Sequence, residues 1–531
     1  MSLPVAQSES LEPEADVQTL VLPPSPTPAP KSRAFWMSFI AIMMSLFLSA
    51  MDVTAIGTAL PTIATALNDT KGDYSWVGSA YALSSTAIIP LSGSLADIFG
   101  RKPVLLICIG FFVVGSTLAG AAQNMPMMIA ARAVQGIGGG GIITLAEILT
   151  SDLVPLAERG VYQGIGPPIG GALASKDNKT WRWLFFLNLP FAGIAFVLVV
   201  LFLQVRQPEG SIRSNGNAIV AVGAGLAVIG LAWGGVRYSW ASVQVLAPLI
   251  IGLALLVVFV IYEAKVPSRP TIPSDILKTR TGVSALLATA VHGIASISLI
   301  YYLPVFFQAS FGASPIRSAV DVLPLALSIS PFAFVGGAVI TLSQRYRTVN
   351  WAGWAITIVG FGLFTTVRED SVVGKWVGYQ LIAAIGIGLL FTSPVFPLLA
   401  PLPNNRAAAA LALFSFTRSF FQTWGITICS TILQNMLQKK LPAEFVAQFP
   451  PGFEIAYAAI PVIKTLPEPL RTQVRAAFAD SMAVIWQAMV GVAGLGLVVS
   501  LALKEVPMTT SVDETYALKD EQVKVGDVEK V

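Results

Sequence analysis

Long apolar segments follow one another through most of this chain, separated by short polar loops, and they decide what the chain can fold into. Each segment is about 18 to 25 residues long, the length that an α-helix needs to cross a bilayer. Of the 531 residues, 54% are hydrophobic and only 12% are charged. A typical soluble domain carries about twice that charged fraction. The sequence therefore predicts an all-α membrane protein.

We predict about fourteen membrane-spanning segments from these apolar runs. They lie near residues 36–60, 76–96, 103–123, 126–150, 158–175, 183–203, 217–236, 244–262, 282–308, 319–342, 349–367, 375–399, 406–433 and 481–503. An even number of crossings puts both termini on one side of the membrane. The Lys and Arg residues of the short loops fall mostly on that same side, which indicates that both termini are cytoplasmic.

Several classes of function do not fit this composition. The net charge of +4 is too small to indicate nucleic-acid binding. Cys108 and Cys429 both lie in apolar runs and the chain has a single histidine, so we expect neither a metal site nor a disulfide framework. The run Gly136–Gly141 fits a Gly-x-Gly-x-x-Gly pattern, but no predicted strand precedes it, and small residues on a membrane helix are typical of close helix packing. We expect no cofactor and no enzymatic activity.

The turn from Gly93 to Lys102 is the most informative short motif in the sequence. Asp97 lies at the end of one predicted helix, Gly100 permits a tight reversal, and Arg101 with Lys102 marks the cytoplasmic side. So short and charged a connection between two spans suggests a transporter that changes conformation. The alternative is an ordinary polar loop between two helices.

Three charged residues are predicted to lie inside the membrane, where charge is costly and is therefore a candidate for function. Asp52 in the first span and Arg132 in the fourth lie about 9 to 12 Å below the outer surface, so we expect them to pair. The alternative is a static ion pair that only orders the bundle. Arg418, in the thirteenth span, needs an anionic partner or a water-filled cavity, and an anionic group of the substrate is one such partner.

Two further titratable residues have simpler explanations. Glu147, near the inner end of the fourth span, is as well explained by snorkelling toward cytoplasmic water as by a function. His292 is better explained as a hydrogen-bonded packing residue than as a titrating group. Two glycosylation sequons, at Asn68 and Asn178, fall in loops that the charge pattern places outside.

The stretch from Trp36 to Leu503 resembles the major facilitator superfamily, and within it the fourteen-helix drug:proton antiporters of fungi. The resemblance rests on several motifs and on their order along the chain. They are Met51–Thr54 with Ala59–Pro61, the Gly93–Lys102 turn, Arg132 with Gln135 and Gly136, the antiporter motif Gly166, Pro167, Gly170 and Gly171, Trp181–Trp183 with Asn188–Pro190, and Arg418–Ser419 with Gln422–Gly425.

The resemblance implies a major facilitator fold with two six-helix bundles and two extra linking transmembrane helices. The predicted parts are a disordered cytoplasmic tail (1–35), an N-terminal bundle (36–203), the linking helices (204–281), a C-terminal bundle (282–503) that includes an extracellular loop (434–480), and a cytoplasmic tail (504–531). Substrate is expected at the midplane between the bundles.

The resemblance also implies a function, namely efflux of an amphipathic organic molecule such as a fungal secondary metabolite, toxin or drug, coupled to inward proton movement. Asp52 would be a protonatable or substrate-facing acid, and Arg132 would help proton coupling. The expected partners are the small-molecule substrate, protons and the lipid bilayer. We expect a monomer in the plasma membrane, with the vacuolar or a vesicular membrane as the alternative.

The fifth predicted span departs from the family, because it offers only about 15 uncharged residues, or roughly 22 Å of helix. In the family this helix is thought to seal the substrate path against ion leak. Two alternatives therefore stay open at this point. One is proton-coupled uptake of a nutrient or iron chelate by the same fold, and the other is an inactive relic of a transporter.

Overall fold

The computed structural model describes residues 32–67, 75–159, 181–203, 205, 217–234, 238–265, 274–403, 406–449 and 455–509. Within these ranges, nine helices are long and apolar enough to cross a membrane. The predicted all-α membrane architecture is therefore confirmed. The count of about fourteen spans stays a prediction.

The part of the chain before residue 205 forms the first half of the molecule. Its described helices are α1 (Arg33–Ala66), α2 (Ser75–Phe99), α3 (Arg101–Gly120), α4 (Met125–Leu153), α5 (Trp181–Phe186) and α6 (Asn188–Phe202). Helix α4 is at the centre of this group, because it packs against α1, α2 and α3.

The next two helices, α7 (Asn217–Trp233) and α8 (Val243–Lys265), pack against each other. The second half of the molecule follows. Its described helices are α9 (Ser274–Lys278), α10 (Arg280–Ser310), α11 (Pro315–Ser343), α12 (Tyr346–Phe364), α13 (Val373–Thr392), α14 (Val395–Leu399), α15 (Ala407–Lys440), α16 (Ala443–Val446), α17 (Ile455–Ile463) and α18 (Leu470–Ser500).

A small number of helices join the two halves. Helix α15 of the second half packs against α2 and α4 of the first, and α1 contacts both α10 and α11. Helix α7 contacts both α2 and α15. Residues that face each other across the boundary between the halves therefore come mainly from α1, α2, α4, α10, α11 and α15.

Glycines let α4 lie unusually close to its neighbours. A Cβ added at Gly138 would come within 3 Å of backbone atoms of Phe112 and Cys108 in α3, and one at Gly136 would come as close to the backbone of Tyr81 in α2. Since backbone atoms cannot move aside as a flexible side chain can, a larger residue would force the helices apart. The glycine run thus acts in packing, and it fixes the position of the polar residues on the same helix.

The outer surface of the bundle exposes large apolar side chains, as expected for a surface in contact with lipid. On α8, for example, Ile250 is 59% exposed and Val257 is 60% exposed, and Leu201 on α6 is 57% exposed. A contiguous apolar surface of this kind would aggregate in water, whereas it is stable against acyl chains.

The helices extend into the segment 434–480 that the sequence assigns to an extracellular loop. Helix α15 continues to Lys440, and α18 begins at Leu470, ahead of the apolar run near residue 481. Val474 and Phe478 in the first turns of α18 are completely buried. Their spacing of four residues gives an amphipathic helix that packs on one side, which a search for continuous apolar runs does not detect.

Residues 501–509, which we call the C-terminal strap, run from the end of α18 back to the first half. The Tyr346 hydroxyl donates to the carbonyl of Lys504 and accepts from the amide of Val506 at 2.9 Å. Farther along, the amide of Ala157 in the first half donates to the carbonyl of Thr509 at 3.3 Å. The first residues of the predicted cytoplasmic tail (504–531) thus pack against both halves, held by backbone hydrogen bonds and by the buried Met508.

Candidate functional site

Asp52 on α1 and Arg132 on α4 meet inside the first half, at the contact that the sequence predicts. The Nη1 atom of Arg132 lies 2.6 Å from Oδ2 of Asp52, and the two residues are only 1% and 3% exposed. A buried ion pair is stable only when further hydrogen bonds satisfy the remaining polar atoms of both partners. The surroundings of this pair supply such bonds.

Three more polar side chains complete what we call the Asp52 cluster, consisting of Asp52, Ser116, Arg132, Gln135 and Asn188. Gln135 accepts from Arg132 at 2.6 Å through its oxygen and donates to Oδ1 of Asp52 at 2.8 Å through its nitrogen. Asn188 at the start of α6 donates to the same Asp52 oxygen at 3.4 Å. The cluster therefore connects α1, α4 and α6 through one carboxylate.

Ser116 links the cluster to α3, because its hydroxyl lies 2.8 Å from Nε2 of Gln135 and 3.3 Å from Nδ2 of Asn188. The sequence motifs included Gln135 and Asn188, but nothing in the sequence indicated Ser116 as part of a site. A lone serine in an apolar span more often bonds to its own helix backbone. Its role becomes visible only when the four helices are placed together.

Contacts with helix α2 also fix the Arg132 side chain. Its Nε donates to the carbonyl of Val77 at 3.1 Å, and its guanidinium lies 4.4 Å from the centre of the Tyr81 ring. The Tyr81 hydroxyl is in turn 2.9 Å from that of Ser49. These contacts hold the guanidinium in one orientation and connect the Asp52 cluster to α2.

The Gly93–Lys102 turn lies at the predicted cytoplasmic end. Gly100 has φ +90° and ψ 154°, a conformation that is essentially restricted to glycine. Arg101, which is completely buried, pairs with Asp97 and donates through Nε to Asp152 at 3.1 Å. Asp152 was absent from the predicted site, because it lies at the far end of α4 and the turn sequence alone cannot indicate it.

Gly93 and Lys102 have separate contacts. A Cβ at Gly93 would lie 3.1 Å from the Cβ of Ala412 on α15, so this glycine marks a close approach between the two halves. Lys102 donates to the carbonyl of Val200 on α6 at 2.8 Å. The turn thus connects α2, α3, α4 and α6 at the predicted cytoplasmic end.

A second charge pair lies across the boundary between the halves, and in it Arg418 is buried and Glu147 is partly exposed. Nη1 of Arg418, on α15, is 3.8 Å from Oε1 of Glu147, on α4. The Ser415 hydroxyl donates to the other oxygen of Glu147. Glu147 therefore contacts protein groups and does not only extend toward cytoplasmic water. It is also the anionic partner that the sequence predicts for Arg418. The pair is about 22 Å from Arg132 along α4.

His292, on α10, is close to the same region. Its Nε2 lies 3.2 Å from the carbonyl of Ile387, and its ring meets that of Phe391 edge-on at 6.1 Å. Both contacts fit the packing role that we expected.

Other predicted site residues lie outside the described residues. These are the antiporter-motif residues Gly166, Pro167, Gly170 and Gly171, and the sequon residues Asn68 and Asn178. Their roles stay predictions.

Comparison with known proteins identifies the family of this chain. The sequence profile of the Major Facilitator Superfamily matches residues 42–426. The chain therefore belongs to the major facilitator superfamily of membrane transporters.

Similar proteins are found among fungal transporters. The efflux pump FUS6 of Gibberella fujikuroi is 35% identical to this chain, and the alignment covers 98% of this chain and 97% of FUS6. An MFS-type transporter of the acurin A biosynthesis cluster of Aspergillus aculeatus is 32% identical and the alignment covers 93% of both chains. The resemblance stated from the motifs is confirmed.

Among solved structures, a bacterial homologue of the human lysosomal transporter Spinster, in an inward-facing and occupied conformation, matches with a TM-score of 0.53. It covers 89% of this chain and 97% of its own, at 17% identity. At this identity the match supports the fold alone, and it agrees with the predicted major facilitator architecture.

Proposed function

We propose that this protein exports an amphipathic small organic molecule from the cytoplasm, in exchange for protons that move inward. The names of its relatives support export, since FUS6 is an efflux pump and the Aspergillus aculeatus transporter belongs to a biosynthesis cluster. They also support a secondary metabolite as the cargo. The cargo would bind between the two halves near the midplane of the membrane.

The observation that carries proton coupling is the burial of Asp52 within a cluster drawn from four helices. As a carboxylate, Asp52 attracts Arg132 and accepts from Gln135 and Asn188. A proton on Asp52 removes the negative charge and occupies one of its acceptor positions, so that these bonds weaken together. Helix α1 is then held less firmly to α4 and α6. One proton can therefore change how the helices of the first half pack.

The arginine has a second role in this proposal. When Asp52 is protonated, Arg132 keeps its bonds to Gln135 and to the carbonyl of Val77, so its charge is not left without partners. After the proton has left to water on the cytoplasmic side, this charge attracts the Asp52 carboxylate back into the ion pair. Arg132 thus restores the packing of α1 against α4 in each cycle.

The test is transport by the full-length protein in liposomes, with the pH gradient set in either direction. We expect Asp52→Asn to bind cargo but to lose the acceleration that a pH gradient gives, because an amide cannot take up or release the proton. Asp480→Asn is the matched control, since Asp480 is half exposed on α18 and pairs with Arg368. Gradient-driven export by Asp52→Asn at the wild-type rate would overturn the proposed coupling.

We further propose that the protein works as a monomer in the plasma membrane. Fluorescence microscopy of the tagged full-length chain distinguishes this location from the vacuolar membrane. Light scattering of the purified protein gives the oligomeric state.

The direction of transport is tested in intact cells that express the protein. Accumulation of cargo inside these cells would favour the alternative function, uptake, over export.

A further inference from the structure

Arg418 has more hydrogen-bond donors than its surroundings use. One of them, Nη2, donates to the carbonyl of Phe391 at 2.6 Å. Nη1 is 3.8 Å from Glu147, which is too long for a hydrogen bond. The buried Nε has no hydrogen-bond partner among the described residues. Since Arg418 is only 8% exposed, these unused donors carry a cost that a ligand could relieve.

Aromatic rings fix the guanidinium and leave its edge available. Its Cζ lies 4.4 Å from the centre of the Phe391 ring and 4.3 Å from that of Phe414. Rings at this distance hold the plane of a guanidinium without using its N–H groups. A guanidinium fixed in this way is prepared for a planar anion that accepts two parallel hydrogen bonds, as a carboxylate does.

Glu147 already places a carboxylate beside Arg418, with Oε1 3.8 Å from Nη1. Ser415 holds one oxygen of Glu147, and the other oxygen stays at ion-pair distance from Arg418. The glutamate is on the first half and the arginine on the second. The pair therefore lies where the halves must separate for cargo to enter from the cytoplasm.

We propose that Arg418 binds a carboxylate group of the cargo, and that Glu147 takes the place of that carboxylate when no cargo is bound. This inference rests on the proposed export function and adds the substrate class, an amphipathic organic anion. The phenyl rings beside Arg418 would contact the apolar part of such a molecule. Binding of cargo breaks the Glu147–Arg418 contact between the halves, so that an empty protein closes differently from a loaded one.

The charge balance agrees with export of an anion. Moving an anion out and a proton in both transfer positive charge into the cell. A membrane potential that is negative inside therefore assists both movements.

The test measures equilibrium binding of two probes to the purified full-length protein in lipid nanodiscs, without a pH gradient. The probes are 1-naphthylacetate, an aromatic carboxylate, and 1-naphthylacetamide, its neutral analogue of the same shape. We expect the wild-type protein to prefer the carboxylate. We expect Glu147→Gln to increase carboxylate affinity about tenfold, because the competing anion is gone, and to leave amide affinity unchanged.

Arg418→Gln alone would leave the partly buried Glu147 without its cation and would destabilise the protein, so it is made in the Glu147→Gln background. This double variant is expected to bind both probes equally. Glu444→Gln, at an exposed site on α16, is the control and should behave as the wild type. Equal binding of the two probes by the wild type, or an unchanged carboxylate affinity in Glu147→Gln, overturns the inference.

The outcome is separable from that of the proposed function. A protein that exports under a pH gradient but binds both probes equally keeps the proposed function and overturns the anion site. A protein that prefers the carboxylate through Arg418 but does not respond to a pH gradient supports the anion site and overturns proton coupling.

Discussion

Arg132 illustrates what a charged side chain requires within a membrane bundle. It has a carboxylate, an amide oxygen and a backbone carbonyl as acceptors, and an aromatic ring against its face. These partners come from three different helices. The charge is therefore stable only in the assembled first half, and its removal should affect stability as well as transport.

We expect Arg132→Gln to destabilise the protein by about 3–5 kcal/mol, because Asp52 would remain buried without its cation. The measurement is the thermal unfolding midpoint of the purified protein in detergent. Adding Asp52→Asn to this variant should recover most of the loss, since no buried charge then remains. Arg471→Gln is the control, because the Arg471 side chain is 42% exposed and its ion pair is with the exposed Glu468, three residues earlier. A double variant as unstable as Arg132→Gln would contradict this account.

The Asp52–Arg132 contact could be predicted from sequence, since counting residues along two helices gives the depth of each charge. The pair of Glu147 with Arg418 could not be predicted in the same way. Depth alone does not give the direction in which a side chain points, and these two residues are on helices from different halves. Ser415 is a similar case, because only its position one turn before Arg418 on α15 explains its bond to Glu147.

At the scale of elements, close packing of α4 depends on the absence of side chains. We expect Gly138→Val to prevent correct folding, because its Cβ would overlap backbone atoms of α3. Gly110→Val is the matched control, since a Cβ there has no neighbour within 4 Å. The yield of monodisperse protein in detergent measures the difference. Equal yields from the two variants would contradict the packing role of the glycine run.

The turn between α2 and α3 allows a second prediction about an element. We expect Gly100→Ala to destabilise the protein by about 1–3 kcal/mol, because the backbone at φ +90° is strained for any residue with a Cβ. Gly110→Ala, within α3, should be neutral or slightly stabilising. Thermal unfolding of the two variants under the same conditions provides the comparison, and equal midpoints would exclude strain at Gly100.

The sequence predicts the elements well where a polar residue bounds an apolar run. The span predicted at 76–96 corresponds to α2, Ser75–Phe99, and that at 103–123 to α3, Arg101–Gly120. The prediction was less successful for α18, because its first turns are amphipathic and lie beyond the apolar run. Hydropathy detects contact with lipid, whereas helix ends that pack against protein require the tertiary structure.

At the scale of the whole molecule, export requires the two halves to separate where α2 and α15 face each other. The hydroxyls of Thr86 on α2 and Ser419 on α15 are 3.0 Å apart across this boundary. We expect a Thr86→Cys, Ser419→Cys double variant to form a disulfide on oxidation and to stop transport, with recovery on reduction. Each single variant, treated with the same oxidant, controls for damage elsewhere. Transport that continues in the cross-linked protein would show that the halves do not separate here.

The C-terminal strap adds a condition to every turnover. Its hydrogen bond from Ala157 to Thr509 joins the two halves through a few residues without regular secondary structure. We expect this bond to open and re-form each time the cytoplasmic side opens. The last residues of the chain follow directly after the C-terminal strap. We therefore expect their length, their charge or a molecule attached to them to change how fast the strap opens. A fluorescent protein fused at the C-terminus is expected to lower the transport rate relative to the untagged chain.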